Sequence, residues 1–489
     1  MSATPRVHDV VLPPRPSIGT PGPGELERLF ALQRAHRWTM ARTTAAQRID
    51  RLKRLKASVL RHETELHEAV HRDFRKAPPE TDISELLVFR LEVEHAIRHL
   101  RRWMRPQRVT TPWILTGTRS TIRCEPRGVV LILAPWNYPI GLVLNPLVAA
   151  IAAGNCAIVR PSEKTRYTAR VLQRVVAEAL PEEEAAVVLG DVDTAQALLS
   201  LPFDHVFFTG SSRIGQLVMR YAAEHLTSVT LELGGKTPAL LDRSADVARA
   251  AEAIMWGKFL NAGQTCLAPD YVLVPPELEE PFIAESRRVL RRFLGAHPSL
   301  ALSPDYCRIV DDAAYRRLAG EIDAAVAAGA AVVEGGDRDP AARFLAPTLV
   351  AGVTADMPLM REEIFGPVLP LVRCATLDDA IAFVNGRPKP LALYVFARDR
   401  AAVERVNSGT SAGATVVNDV LIHYGNLDLP FGGVGWSGQG SYHGWHGFRA
   451  FSHERAVIED RGLAISRLFH PPYGKRARWV IDLIARVFG

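Results

Sequence analysis

Apolar residues recur every three or four positions between residues 26 and 105, with charged residues between them. Leu52, Leu55, Val59 and Leu60 illustrate this spacing. The period places apolar side chains on one face of an α-helix, so the segment predicts a series of amphipathic helices.

From residue 129 onward, short apolar runs alternate with segments of helical period. A first group of strands is predicted at residues 129–133, 156–159, 186–189, 205–209 and 229–233. A second alternation, over residues 238–417, predicts strands near 271–274, 330–334 and 370–373 and an Ala-rich helix near 318–328. Strands of a parallel sheet that is covered on both faces have such continuous apolar runs. The sequence therefore predicts an α/β fold with two α/β domains.

Residues 128–159 contain no charged residue and are long enough to suggest a membrane span. Pro135, Pro139 and Pro146 interrupt the stretch, and lipid would leave the broken backbone hydrogen bonds unsatisfied. We therefore predict a buried strand, a loop, a helix and a second strand. The Gly-rich segment 431–447 is predicted to be a loop.

The two ends of the chain differ from its body. Residues 1–24 are rich in Pro and Gly and predict a loose tail. After residue 473 a helical period returns, with an apolar face of Val480, Leu483, Ile484, Val487 and Phe488 and an opposite face of Lys475, Arg476, Arg478, Asp482 and Arg486. Such a basic amphipathic helix can lie on an anionic membrane surface, on a partner subunit or on its own protein. Because it is short and interrupted by charge, we do not expect it to span a bilayer.

Composition narrows the class of protein. The 489 residues, 47% of them hydrophobic, suffice for two or three domains. The net charge of +6 is small for this length, so the Arg-rich stretches predict solvated helix faces and no nucleic-acid partner. Five widely spaced cysteines, without a metal-binding pattern or a secretory signal, predict a cytoplasmic location and no metal.

Cys266 is the candidate nucleophile. The residues before it, 261–265, are small or polar and allow a turn to expose the sulfur. Because most single cysteines are inert packing residues, this interpretation depends on the other candidates.

Glu232 stands near the end of a predicted apolar strand, where an unpaired carboxylate is costly. It either forms a buried ion pair with a neighbouring Lys or serves as a general base. Burial would raise its pKa toward neutrality and suit it to activating water.

Asn137 directly follows the predicted strand 129–133, between Pro135 and Pro139. Open α/β sheets bind ligands at this end of their strands. The Asn137 amide either forms a turn or stabilises an oxyanion.

The segment 210–215 joins a predicted strand to a helix and begins and ends with Gly. It predicts a pyrophosphate site at a helix N-terminus, although it lacks the usual Gly-x-Gly-x-x-Gly fingerprint. Residues 235–237 resemble part of a P-loop, but Thr230 stands where that motif requires Gly. A nucleoside triphosphatase is therefore excluded.

Together these segments resemble the aldehyde dehydrogenase superfamily over about residues 30–455. The matching motifs lie at residues 135–139, 160–163, 208–211, 231–236, 263–266 and 362–367. The motifs at residues 418–419, 429–435 and 440–444 are similar to the class 3 group, which includes fatty and aromatic aldehyde dehydrogenases that are typically dimers.

The resemblance implies oxidation of an apolar aldehyde, either medium- or long-chain aliphatic or aromatic, to a carboxylic acid with NAD or NADP. Cys266 would form a thiohemiacetal and then a thioester. Asn137 and the Cys266 backbone N–H would hold the oxyanion, and Glu232 would activate the hydrolytic water. The resemblance also implies a homodimer and no metal.

The resemblance also implies the cofactor contacts. Glu363 and Phe365 would position the nicotinamide ribose and ring, and Arg160 and Glu163 would face the adenosine ribose. The remaining implied contacts are Trp136, Gly210, Ser211 and Gly215. Arg160 replaces the Lys common in the family. Its planar fork suits a 2′-phosphate, which Glu163 would repel, so both NAD and NADP stay open.

The alternatives to this function are a coenzyme A-acylating dehydrogenase and a non-catalytic protein of the same fold. A coenzyme A-acylating dehydrogenase would pass the acyl group to a thiol, but Glu232 argues against it. A non-catalytic protein of this fold would not need its three candidate catalytic residues.

The predicted parts are a tail (1–24), a Rossmann-type cofactor domain (25–231, interrupted by a bridging segment at 108–128), a catalytic domain (232–416), a bridging segment that pairs subunits (417–455) and a C-terminal tail (456–489).

Overall fold

The computed structural model describes residues 13, 16–294, 300–462, 470–471 and 473–488. Of the predicted N-terminal tail, residues 1–12, 14 and 15 lie outside the described residues. The side chains of Ile484, Val487 and Phe488, on the predicted apolar face of the C-terminal helix, also lie outside them.

The α-helices of the described residues are α1 (Glu25–Ala41), α2 (Ala45–Arg61), α3 (Glu63–Phe74), α4 (Pro78–Thr81), α5 (Leu87–Trp103), α6 (Gly141–Ala153), α7 (Arg166–Ala179), α8 (Val192–Leu199), α9 (Ser212–Glu224), α10 (Val247–Phe259), α11 (Pro276–Leu294), α12 (Asp312–Ala327), α13 (Leu377–Asn385), α14 (Arg400–Gly409), α15 (Gly444–Ala450) and α16 (Lys475–Phe488). The strands are β1 (Gln107–Arg108), β2 (Thr118–Pro126), β3 (Val129–Leu133), β4 (Cys156–Arg160), β5 (Ala185–Val187), β6 (His205–Gly210), β7 (Ser228–Leu233), β8 (Pro238–Leu241), β9 (Tyr271–Val274), β10 (Ala331–Glu334), β11 (Arg338–Asp339), β12 (Phe344–Leu345), β13 (Thr348–Ala351), β14 (Val368–Arg373), β15 (Ala392–Phe396), β16 (Ala414–Val417), β17 (Gly438–Gln439) and β18 (Ser452–Asp460).

Two largely parallel sheets form the framework. One has six strands in the order β17-β7-β6-β3-β4-β5, and the other has seven in the order β10-β13-β14-β9-β8-β15-β16. The edge strands β17 and β10 pair antiparallel to their neighbours, and the other pairs are parallel. The chain leaves the first sheet at Leu233 and enters the second at Pro238. The predicted α/β fold is confirmed.

A third sheet of order β1-β2-β18 is antiparallel. β2 pairs with β18 along its whole length, from Thr118 opposite Asp460 to Pro126 opposite Ser452. β18 therefore continues past residue 455, where the predicted bridging segment ends.

The N-terminal region confirms the predicted amphipathic helices. Thr44 begins α2 with a capping box, in which it exchanges hydrogen bonds with Gln47. Leu52, Leu55 and Val59 are buried, whereas Leu60 is 39% exposed. Placing Leu60 on the apolar face was wrong, because one residue advances the helix by about 100° and turns this side chain away from the core.

The uncharged stretch 128–159 forms β3, a loop, α6 and β4, as predicted. Every residue of α6 is buried, which explains its apolar sequence. Gly154, in the left-handed conformation with φ of 90°, ends the helix. None of the helices in the described ranges is both long and apolar enough to cross a membrane.

The prediction of a loop over residues 431–447 is wrong in two places, because β17 lies inside it and α15 begins in it. Gly438 has φ of 151°, and a Cβ there would collide with the Leu231 carbonyl oxygen. Glycine thus allows the backbone to approach β7 closely enough for strand pairing.

Several predicted limits also shift. β5 spans residues 185–187 instead of 186–189. α12 begins at Asp312, six residues before the predicted start, because the Asp311 side chain caps it by accepting a hydrogen bond from the Ala314 N–H.

Candidate active site

A cavity of about 920 Å³ is lined by residues that follow or end strands of the first parallel sheet and by residues that precede strands of the second. Asn137 follows β3, Gly210 ends β6, Glu232 is in β7 and Cys266 precedes β9. The carboxyl ends of strands in the first sheet and the amino ends of strands in the second thus bring together residues that are far apart in the sequence. Open α/β sheets bind ligands at the carboxyl ends of their strands, which is the end that the first sheet presents here.

The turn before Cys266 has an unusual backbone. Asn261, Ala262 and Gly263 have φ values of 55°, 50° and 72°, all in the left-handed region. This conformation costs free energy for non-glycine residues and must be held by its surroundings. A Cβ on Gly263 would collide with the Gly366 backbone, so the turn packs closely against the segment that carries Glu363.

Buried amide side chains hold this turn. Gln264 Nε2 donates to the Asn261 and Arg308 carbonyl oxygens at 3.0 and 3.1 Å, and its Oε1 accepts from the Val310 N–H at 2.9 Å. Cys266, which follows directly, is half-buried and lines the cavity. Burial raises the pKa of its thiol above the usual range, helped by the charges of Glu363 and Glu232. The thiol therefore rests protonated and needs a proton acceptor to react as a thiolate.

Asn137 is tied to the same turn. Its Nδ2 donates to the Gln264 carbonyl oxygen at 3.1 Å, and its own carbonyl oxygen accepts from Asn261 Nδ2 at 2.8 Å. Asn137 is 3% exposed and lines the cavity. Its amide has a second N–H, so the geometry lets this group donate both to the nucleophile's turn and into the cavity.

Glu232 is 3% exposed, and among the described residues neither of its carboxylate oxygens has a hydrogen-bond partner. Burial raises its pKa well above the usual value. The alternative of an ion pair with Lys236 does not hold, because that lysine pairs with Asp270. Glu232 instead borders the cavity.

Lys236 and Asp270 hold the segment that carries two predicted cofactor residues. Lys236 Nζ also donates to the Leu359 and Glu362 carbonyl oxygens at 2.8 and 2.9 Å, and Asp270 Oδ1 accepts from the Ile364 N–H at 2.9 Å. Asp270 was not predicted as a site residue, and the predictions for Lys236 did not include its role in holding this segment. Neither residue has a recognisable local motif, because their contacts join segments about 90 to 125 residues apart.

Glu363, Phe365, Trp136, Gly210 and Ser211 line the same cavity as Cys266. The Trp136 and Phe365 rings meet edge to face at 5.4 Å. Burial, then the Asp270 charge, raises the pKa of Glu363 to about 8, while a hydrogen bond from the Gly235 N–H opposes the shift.

The structure places three other predicted cofactor residues outside this cavity. Arg160 pairs with Glu163 at 2.6 Å and donates to the Gly190 carbonyl oxygen at 3.0 Å. Gly215 lies inside α9, where a Cβ would come within 2.8 Å of Leu233. This glycine therefore allows α9 to pack on β7.

The model of the aldehyde dehydrogenase family matches residues 26–457. A probable coniferyl aldehyde dehydrogenase of Pseudomonas aeruginosa is 43% identical over 92% of this chain and 94% of its own length. Human aldehyde dehydrogenase family 3 member B1 is 43% identical over 84% of this chain and 87% of its own.

A solved structure described as the substrate-bound state of Staphylococcus aureus AldH superposes with a TM-score of 0.90. It is 40% identical and covers 94% of this chain and 99% of its own. The chain therefore belongs to the aldehyde dehydrogenase family, in which it is class 3-like, and is an NAD(P)-dependent enzyme that oxidises aldehydes.

Proposed function

We propose that this enzyme oxidises apolar aldehydes, aliphatic or aromatic, to carboxylic acids through a thioester on Cys266. One observation carries the proposal: Cys266 and Asn137 share the hydrogen-bonded turn at Gln264, and the same cavity is lined by the Glu232 carboxyl, which has no hydrogen-bond partner among the described residues. A nucleophile, an oxyanion donor and a base are thereby available to one bound aldehyde.

In the first step the Cys266 thiol loses its proton to solvent, and the thiolate sulfur attacks the aldehyde carbon. The Asn137 amide and the Cys266 backbone N–H donate to the oxygen as it becomes an oxyanion. The backbone N–H groups of Cys266 and Leu267 lower the pKa of the thiol, against the larger effect of burial, and so favour the thiolate that attacks.

NAD or NADP, when bound, accepts the hydride. Gly210 and Ser211 at the start of α9 would hold its pyrophosphate, because helix N-termini present unpaired N–H groups to anions. The half-buried Glu363 carboxyl would bind ribose hydroxyls, and Phe365 and Trp136 would enclose the ring. The Arg160 guanidinium is engaged by Glu163 and Gly190, which leaves fewer donors for a 2′-phosphate and favours NAD.

Hydrolysis of the thioester requires an activated water. Glu232 suits this step because burial raises its pKa, so its carboxylate is basic enough to take a proton from water near neutral pH. This residue also favours hydrolysis over transfer of the acyl group to coenzyme A. Product analysis with and without coenzyme A separates the two reactions.

The substrate class follows from the lining of the cavity and from the relatives. The apolar part of the lining includes Ile83, Val88, Leu142, Trp256, Leu260, Leu421, Ile422, Tyr424, Phe431 and Tyr442. Relatives named for coniferyl aldehyde and for 4,4′-diaponeurosporen-aldehyde are 43% and 42% identical to this chain. An apolar, aromatic lining would accept apolar aldehydes of this kind.

We further propose a cytoplasmic homodimer that pairs through the β2–β18 sheet. All five cysteines are free, which supports a reducing compartment. On α16, Ala477 and Val480 are buried, whereas Trp479, Ile481 and Leu483 are 66%, 50% and 41% exposed. Exposed apolar side chains beside basic ones support contact of this helix with a membrane surface or with the partner subunit.

The test is NAD(P)H formation by the purified protein with short, long and aromatic aldehydes, NAD or NADP, and two cysteine variants. Cys266→Ala should abolish the activity. Cys124→Ala is the matched control, since Cys124 is also half-buried and free but lies in β2. Equal activity in the two variants would refute the thioester mechanism.

A further inference from the structure

The chain between α4 and α5 forms a π-helical turn, Asp82–Leu86, in which the Leu87 N–H donates to the Asp82 carbonyl oxygen. Such turns are rare and frequently occur at functional sites. Ile83 and Ser84 line the active-site cavity, whereas Glu85 is fully buried. The turn therefore places the buried Glu85 carboxylate next to residues that line the active-site cavity.

Glu85 joins two separate elements. Its Oε1 accepts from Lys76 Nζ at 3.0 Å, and its Oε2 accepts from the Ile140 and Gly141 N–H groups at 2.7 and 3.1 Å. These two donors stand at the start of α6, where backbone N–H groups have no partner within the helix. They follow Asn137 by three and four residues.

Lys76 extends the connection to the nucleophile's turn. It is fully buried, and its Nζ lies 4.2 Å from the centre of the Tyr138 ring. The Tyr138 hydroxyl shares a hydrogen bond of 2.6 Å with Thr265 Oγ1, next to Cys266. The ammonium group thus contacts the residue directly after Asn137.

Glu80 provides a second connection to the same place. Its Oε1 accepts from the Asn261 N–H at 2.7 Å, and Asn261 Nδ2 donates to the Asn137 carbonyl oxygen. Burial raises the pKa of Glu80, and the charge of Lys76 opposes that shift. One buried lysine therefore supports two carboxylates, and both act on the backbone around Asn137.

We infer that the Lys76–Glu85 ion pair is a positioning device for the Asn137 amide. This inference rests on the proposed function, in which that amide stabilises the oxyanion on Cys266. The ion pair fixes the loop after β3, so the amide points at the reacting oxygen before substrate arrives. A displacement of about 1 Å can lower catalysis roughly a hundredfold, which gives such a device a measurable effect.

Glu85→Met removes the acceptor and keeps the side-chain length, and it is compared in the Asn137 and Asn137→Ala backgrounds. With Asn137 present, kcat should fall about tenfold to a hundredfold, while KM for the cofactor changes less than about twofold. With Asn137→Ala, the same substitution should change kcat less than about twofold, because the group it positions is gone. A merely structural role would lower kcat equally in both backgrounds, and that result would overturn the inference.

Glu85→Gln keeps an acceptor oxygen and carries the same comparison if the Met variant does not fold. It should lower kcat by about threefold to tenfold with Asn137 present. Asp73→Asn is the control, because Asp73 is also buried and accepts from the Tyr167 and Thr168 N–H groups, at the start of α7, at 3.2 and 2.9 Å. It should lower the melting temperature and leave kcat within about twofold.

The activity of the unaltered enzyme distinguishes a failure of the proposed function from a failure of the positioning role. If it shows no Cys266-dependent aldehyde oxidation, the proposed function fails. If it is active and the Glu85 effect does not depend on Asn137, only the positioning role is overturned.

Discussion

Two buried glutamates of this enzyme, Glu85 and Glu232, are in opposite situations. Both are at most 3% exposed. Glu85 accepts hydrogen bonds from Lys76, Ile140 and Gly141, whereas Glu232 accepts none among the described residues. A buried carboxylate that accepts several hydrogen bonds stabilises the fold. A buried carboxylate without hydrogen bonds has a raised pKa and can act as a base in the reaction.

The backbone around Glu232 is nevertheless well supported. In the sheet Glu232 lies opposite Thr209 of β6 on one side and Gly438 of β17 on the other. The strand thus holds the residue in place while its side chain stays unpaired. The free-energy cost of that side chain must be met by the rest of the fold, as is common at active sites.

Glu232→Gln should give the largest effect. It removes the proposed base and keeps the shape, so steady-state turnover should fall roughly a thousandfold. Glu85→Gln should lower turnover much less, because its action on the reaction is indirect. Turnover with one saturating aldehyde measures both, and a larger loss in Glu85→Gln would reverse the roles assigned to the two residues.

The free energy of unfolding should rank the two variants in the opposite order. Glu85→Gln disrupts a buried ion pair and should lower it by about 3 kcal/mol. Glu232→Gln replaces a carboxyl for which the described part of the chain offers no hydrogen-bond partner, so it should leave the free energy of unfolding unchanged or raise it. Urea titration at pH 7.5 checks this, and comparable destabilisation by both variants would show that Glu232 has a structural partner.

The stability difference between Glu232→Gln and the unaltered enzyme should depend on pH. The folded state raises the pKa of Glu232 above its unfolded value of about 4.3, so between these values the folded protein binds more protons than the unfolded one. Stability therefore falls as pH rises through this window, by up to about 1.4 kcal/mol per pH unit. The variant lacks this loss, so its advantage should grow as the pH is raised from 5 toward the pKa of the folded state. A constant difference in urea titrations across that range would contradict the raised pKa.

Glu363 is an intermediate case and should show the smallest effect. It accepts a hydrogen bond from the Gly235 N–H and has a pKa of about 8. Because we place it at the cofactor ribose, Glu363→Gln should raise KM for NAD about tenfold and change kcat less. A fall in kcat with an unchanged KM would instead assign it to the chemical step.

The sequence was enough to predict the α/β fold, five of the six strands of the first sheet, three of the seven strands of the second and the three residues that now line one cavity. It did not show that the predicted strand at 330–334 pairs antiparallel at the sheet edge. Those residues lie in short motifs at strand ends, where local pattern and chemistry coincide. The support around them could not be predicted, since Glu85 acts on a loop about 55 residues away and Glu80 on a turn about 180 residues away. Such contacts depend on how helices pack, and no local pattern encodes them. The strand that contains Gly438 was missed for a related reason. Its pairing partner is in β7, and the Gly-rich composition of segment 431–447 alone indicated a loop.

The mass of the intact Glu232→Gln protein, measured after mixing with an aldehyde and NAD, tests whether the reaction passes through a thioester on Cys266. We expect the acyl group to accumulate on Cys266, with a burst of NADH close to one per active site, because the thioester forms but is not hydrolysed. Peptide mapping should place the added mass on Cys266, and Cys266→Ala should show none. A full burst without a covalent adduct, or an adduct on another residue, would contradict the thioester mechanism.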